Sequence, residues 1–182
     1  MEMDHLQDLL LHELRDLYNA ENQLLKALPR MAKAASSPEL RKAFELHTRE
    51  TKGQVQRLEK VFKSLGEKAR GKKCHAMEGL IEEGKELMQE DMEPEVLDAG
   101  LIGAAQKVEH YEIAGYGTVR TYAKLLGNRE AAQLLQQTLD EEGATDKKLT
   151  KLAVTHINLE AQDGDEEEMT TSSKRNGGKS RR

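Results

Sequence analysis

Glu21 stands where a hydrophobic side chain belongs. Leu14, Leu17, Tyr18, Leu24, Leu25 and Leu28 recur around it at three- and four-residue spacing, the pattern of an apolar helix face. The same anomaly returns along the chain. His47 and Glu50, or Thr51 and Gln54, interrupt the stripe between Phe44 and Leu58. Glu109 and Glu112 fall between Ala105, Val108 and Tyr116, Val119. Glu142, with Glu141 and Asp146 close by, falls between Leu135, Thr138 and Leu149. A buried carboxylate without a partner costs several kcal/mol. A defect of that kind on every long helix would oppose folding, whereas a shared cation turns the defects into ligands. Carboxylate oxygens with an imidazole suit iron or manganese, and zinc also fits. Carboxylates drawn from several helices suit two bridged ions, which can pass electrons to dioxygen or peroxide.

These residues must be positioned by helices. The 182-residue chain is rich in Ala, Leu, Glu, Lys and Gln, with 34% charged and 37% hydrophobic residues. It has 2 Phe, 4 Tyr, no Trp and only 3 Pro, so its core is aliphatic and the makeup argues for helices and against a β-sandwich or barrel. One cysteine, Cys74, rules out an internal disulfide framework and a cysteine-based zinc site. A net charge of -5 gives no whole-surface case for nucleic acid. No apolar run approaches the ~20 residues that span a bilayer, and the N-terminus is acidic where a signal peptide is basic. No membrane association and a cytoplasmic location are therefore expected.

The periodicity predicts helices from about Asp4 to Ala34, to Leu65, from His75 to Glu90, from Pro94 to Leu126 and from Arg129 to Leu159. Ser36 and Ser37 compete as the cap that restarts the chain before Pro38. Gly66 and Gly127-Asn128 read as helix stops. Short turns make the first pair and the last pair antiparallel hairpins, and the long link between them can run the length of the bundle. The expected fold is all-α: a ferritin-like four-helix bundle with one long crossover carrying a short extra helix. Residues 1–160 form it. Residues 161–182 read as a disordered tail, acidic and then basic. The tail's few basic residues, next to as many acidic ones, give at most weak, salt-dependent nucleic-acid binding.

Counting outward from each hairpin turn puts Glu21 level with Glu50, Glu112 level with Glu142 or its neighbour Glu141, and Glu109 level with Asp146. All lie near mid-helix. The arithmetic, good to about one turn, leaves Glu141 and Glu142 as alternatives. A faint echo pairs Tyr18-x-x-Glu21 with Glu109-x-x-Glu112, and His47-x-x-Glu50 with Thr138-x-x-Glu141.

Four linked motifs carry a resemblance over roughly residues 5 to 158. They are Leu14-Arg15-Asp16-Leu17-Tyr18-x-Ala20-Glu21, His47-x-x-Glu50-Thr51-x-x-Gln54, Glu109-His110-Tyr111-Glu112-Ile113-Ala114-x-Tyr116-Gly117 and Leu139-Asp140-Glu141-Glu142-x-Ala144-x-Asp146. The sequence resembles the YciE/YciF-type stress proteins, a branch of the ferritin-like superfamily. The resemblance implies a cytosolic, often dimeric protein linked to stress and carrying a dimetal site. The chain departs from the better-known ferritin pattern, because His47-x-x-Glu50 reverses the usual Glu-x-x-His order and Thr145 stands where a second such histidine would fall.

The expected centre is two iron ions per chain, with manganese as the variant. Glu21, Glu50, Glu112 and Glu142 are the core ligands expected, and His47, Glu109, Glu141 and Asp146 are candidates to complete the shell. The expected activity is oxidation of Fe(II) by dioxygen or peroxide. The alternative is a non-enzymatic, stress-induced structural or partner-binding bundle. Tyr18 and Tyr116 read as packing or hydrogen-bonding residues, His110 as exposed and Cys74 as structural. Met77, Met88 and Met92 read as a packing face.

Overall fold

The computed structural model describes residues 4–162. Among them every regular element is helical: α1 (Leu6–Ala34), α2 (Pro38–Ser64), α3 (His75–Leu87), α4 (Pro94–Leu125) and α5 (Arg129–Leu152). The expected tail, apart from its first two residues, lies outside the described residues.

Ser37, not Ser36, caps α2: its Oγ accepts the N–H of Leu40 at 3.3 Å, and Pro38 takes the first helical position. Ser36 serves another contact. Asp98, buried near the start of α4, accepts the N–H of Ser36 at 2.8 Å, its hydroxyl at 2.7 Å and the N–H of Ser37 at 2.7 Å. The N-terminus of α4 is thus fixed to the α1–α2 turn, at the opposite end of the bundle from the C-terminus of α2. That placement makes spatial neighbours antiparallel and explains why the link from α2 to α4 is long.

Gly66 and Gly127 end α2 and α4 with φ of 74° and 77°. Each permits the next residue's N–H to reach back, Glu67 to Phe62 O and Asn128 to Ala123 O, both at 2.9 Å. The crossover is tied to α1 by Lys72 N–H to Arg15 O at 3.0 Å and by Cys74 N–H to Asn19 Oδ1 at 2.8 Å. Cys74 then caps α3 through its sulfur and is buried, the structural role its position suggested. Helix α3 is shorter than its expected extent to Glu90, ending in a turn after Leu87. Helix α5 passes through a wide turn at Ala153–Ile157 before continuing, and that turn keeps both Ala153 and Ile157 facing the core.

The apolar core is divided in two. One half contains Leu24, Leu28, Phe44, Leu101, Ala105 and Leu149; the other contains Leu14, Leu17, Leu58, Tyr116, Val119 and Leu135. On α2, α4 and α5 the boundary between halves coincides with the polar interruptions of the stripe. Glu21, His47, Thr51, Gln54, Glu109, Glu112, Thr138 and Glu142 are all buried there.

A buried glutamate and histidine cluster as candidate metal centre

One donor atom from each of His47, Glu109, Glu112 and Glu142 lies within 4.8 Å of the others. Three helices supply them, and α1 adds Glu21, whose Oε1 accepts the hydroxyl of Tyr116. His47 Nε2 sits 3.0 Å from Glu109 Oε1 and 3.9 Å from Glu142 Oε2. Gln54, one turn beyond Thr51 on the same buried face of α2, donates to Glu142 Oε1.

Burial dominates the electrostatics. It raises the carboxyl of Glu21 to about 8, against a lowering pull from Tyr116 and His47. Burial also raises Glu112, reinforced by the charges of Glu21, Glu142 and Glu109. Glu142 is raised by burial and by Glu109. Burial alone would favour a neutral His47, yet the carboxylates of Glu109, Glu50 and Glu142 outweigh it and hold the imidazole above its ordinary range. A cluster so arranged retains protons near neutral pH unless a positive ion displaces them.

The unpaired atoms test whether a cation fits. Glu21 Oε2, Glu109 Oε2, Glu112 Oε1 and Glu142 Oε2 are buried without a hydrogen-bond partner. Buried oxygens are almost always satisfied, so a group of orphaned oxygens converging beside an imidazole needs an explanation. The donor set is hard oxygen with one nitrogen, which suits iron or manganese. The residues fit a metal site.

A family profile described as a domain of unknown function, DUF892, matches residues 5–162. The chain belongs to the DUF892 family. Protein YciF of Escherichia coli K12 is 50% identical over 163 residues, covering 89% of this chain and 98% of YciF. The crystal structure of the E. coli stress protein YciF matches with a TM-score of 0.83 at 51% identity, over 86% of this chain and 99% of that one. YcfI from Rhodopseudomonas palustris, proposed to be structural, matches with a TM-score of 0.80 at 44% identity, over 82% of this chain and 95% of that one. The YciF-type resemblance and the ferritin-like helical architecture both stand.

In this DUF892 chain the expected ligands separate into two groups. Glu21, His47, Glu109, Glu112 and Glu142 share the buried layer. Glu50, Glu141 and Asp146 lie at its margin. The Glu50 side chain is 32% exposed, with Oε2 3.7 Å from His47 Nδ1. Its carboxyl is held below the usual range, first by His47. Glu141 is gripped by Arg57 through contacts of 2.8 and 3.0 Å. Asp146 accepts Gln106 at 2.9 Å and lies 3.4 Å from the exposed His110. Between Glu141 and Glu142, the buried member is Glu142.

Arg57 escaped the sequence reading. It also donates to Thr138 at 2.7 Å, joining α2 to α5 beside the cluster. A usable signal existed: Arg57 follows Gln54 by three residues, so it extends the same polar face. Among the described residues, no helix is long and apolar enough to cross a membrane.

Proposed function

We propose that the protein is a stress-associated, cytoplasmic member of its family that holds a carboxylate- and histidine-ligated pair of iron ions, with manganese as the alternative, and oxidises Fe(II) with dioxygen or hydrogen peroxide. The observation that carries this reading is the convergence of orphaned carboxylate oxygens around His47 in the buried middle of the bundle. Glu21, His47, Glu109, Glu112 and Glu142 would hold the ions. Bound there, the pair would supply electrons to the oxidant.

The chain's own residues have definable tasks. Tyr116 holds one oxygen of Glu21 and leaves the other free. Gln54 does the same for Glu142. Arg57 fixes Glu141, whose Oε2 accepts Gln54 at 3.2 Å, so the guanidinium steadies the amide that orients Glu142. The apolar halves above and below exclude water, which strengthens each charge interaction between them. Protons retained by Glu21, Glu112 and Glu142 must leave when a cation arrives, so binding should release protons and tighten with rising pH.

Metal content per chain tests the site, measured by plasma mass spectrometry after anaerobic Fe(II) loading and desalting. About two irons per chain, lost in Glu21→Ala and Glu112→Ala, support the centre. Fe(II) oxidation faster than buffer, with a ferric-oxo absorption band, supports the activity. Retention of no metal sinks the reading.

The description of the R. palustris relative favours a second reading, a structural bundle in which retained protons alone neutralise the polar layer. It predicts no metal uptake and no Fe(II) oxidation. A homodimer is proposed for either reading, and light scattering tests it.

A further inference from the structure

The cluster is sealed. The side chains of His47, Glu109 and Glu142 are 3%, 1% and 0% exposed. An ion must therefore be admitted from the surface, and the carboxylates at the margin are not equivalent. Glu141 is already neutralised by Arg57, a fixed positive charge that repels a cation. Asp146 is engaged by Gln106 and His110. Glu50 has no lysine or arginine within ion-pair distance among the described residues, and its one close partner is His47.

Glu50 also lines a surface cavity of about 180 Å³ between α2 and α5. Besides Glu50, Ala43 and Leu46 of α2 and Ala144, Thr145, Lys148 and Leu149 of α5 line it; Ala43 and Leu149 are buried, and Ala144 and Lys148 are exposed. Small side chains at 43 and 144 leave the groove open. The carboxylate of Glu50 thus borders the groove on one side and His47 on the other. The second ring nitrogen of His47 faces Glu109 and Glu142.

Resting on the metal-centre reading above, we propose that the α2–α5 groove is the portal for divalent cations, with Glu50 as a transient cation-binding carboxylate that hands ions to the buried layer and does not retain them. Lys148 opposes this traffic. It lines the same groove and, like Arg49 on α2, acts on Glu50 through its charge without closing an ion pair to it. Arriving ions must pass this like charge.

The test separates rate from capacity. Full-length protein is mixed with Mn2+ in a stopped-flow instrument with a fluorescent indicator of free Mn2+, and the ions retained at the endpoint are counted by mass spectrometry. Glu50→Gln should slow uptake about tenfold, the low end of what charge steering gives in clefts because Lys148 offsets part of the field, and leave the endpoint unchanged. Lys148→Gln should accelerate it. Ala144→Trp, at an exposed position, should slow it by filling the groove. Glu83→Gln, a remote surface carboxylate paired with Lys107, should match wild type. Opposite effects of the two charge variants are not expected from a merely structural role. Loss of an ion at the endpoint in Glu50→Gln would make Glu50 a resident ligand and overturn the portal. Unchanged rates in Glu50→Gln and Ala144→Trp would place admission elsewhere and also overturn it. If wild type retains no ion, the metal-centre reading itself fails and the portal falls with it.

Discussion

Glu109 Oε1 lies 3.0 Å from His47 Nε2, and both side chains are sealed from solvent. Breaking such a pair from one side leaves an uncompensated buried charge and typically costs about 3–5 kcal/mol. His47→Leu should destabilise the metal-free protein on that scale, and Glu109→Leu by less, because Glu50 and Glu142 still face the imidazole. The double variant should be less destabilised than His47→Leu, because it removes the carboxylate that the single variant leaves without its cation. Urea unfolding in chelator reads the three variants. A double variant whose loss equals the sum of the singles would refute the coupling.

The metal-free protein should lose stability as pH rises. A carboxyl raised from 4.5 to about 8 in the folded state, as for Glu21, is more easily kept protonated folded than unfolded. Its contribution is full below pH 4.5, declines between 4.5 and about 8, and is lost above. His47 acts in the same direction, since its folded value is also raised. Thermal melts in chelator should therefore show Tm falling from pH 5 to pH 8. Glu21→Gln should flatten the slope and raise Tm at about pH 8. A slope unchanged in Glu21→Gln would assign the effect to other groups.

Arg57→Met should weaken metal retention and leave the fold intact. Its side chain is 17% exposed and its guanidinium grips Glu141, which steadies Gln54 against Glu142. Groups that orient ligands are commonly worth about 10- to 100-fold in metal affinity. Calorimetric titration with Mn2+ should show that loss, with unchanged helical circular dichroism. Wild-type affinity in the variant would remove the positioning role.

Gly115→Ala should destabilise, and Gly117→Ala should not. A Cβ at 115 would stand 2.8 Å from Cδ2 of Leu17, which is buried in the adjoining half-core. Overpacking of that kind costs about 1–3 kcal/mol. A Cβ at 117 meets nothing within 4 Å, so the gain in helix propensity, about 0.5–1 kcal/mol, should appear undiminished. Paired denaturation curves at the two positions are the measurement.

The polar layer was legible because each of its members breaks an otherwise apolar stripe. Glu21 between Leu17 and Leu24, and Glu112 between Val108 and Tyr116, are visible as errors of pattern. Hairpin arithmetic brought their helices to one level. It could not choose between Glu141 and Glu142, since adjacent residues differ in direction by about 100° and only the packed phase of α5 decides. Asp98 was invisible for a different reason. Near the start of a helix an acidic residue reads as an ordinary dipole partner, and its true targets, Ser36 and Ser37, lie on another hairpin. Arg57 was missed because a basic residue beside Leu58 looks like the solvated edge of a face. The expected extent of α5 overlooked its wide turn, for which composition offers no signal.

The divided core has a consequence for how the molecule opens. The two apolar halves meet across a seam to which α1 gives Glu21, α2 His47, α4 Glu109 and Glu112, and α5 Glu142. With polar groups in that seam in place of continuous apolar packing, each half can fluctuate on its own, and amide exchange should resolve two cooperative units. Metal held by this layer would fuse them, since fraying a helix would then forfeit its ligand. Metal occupancy would thus be written into the exchange pattern of amides far from the seam, near Phe62 at one end and Leu101 at the other.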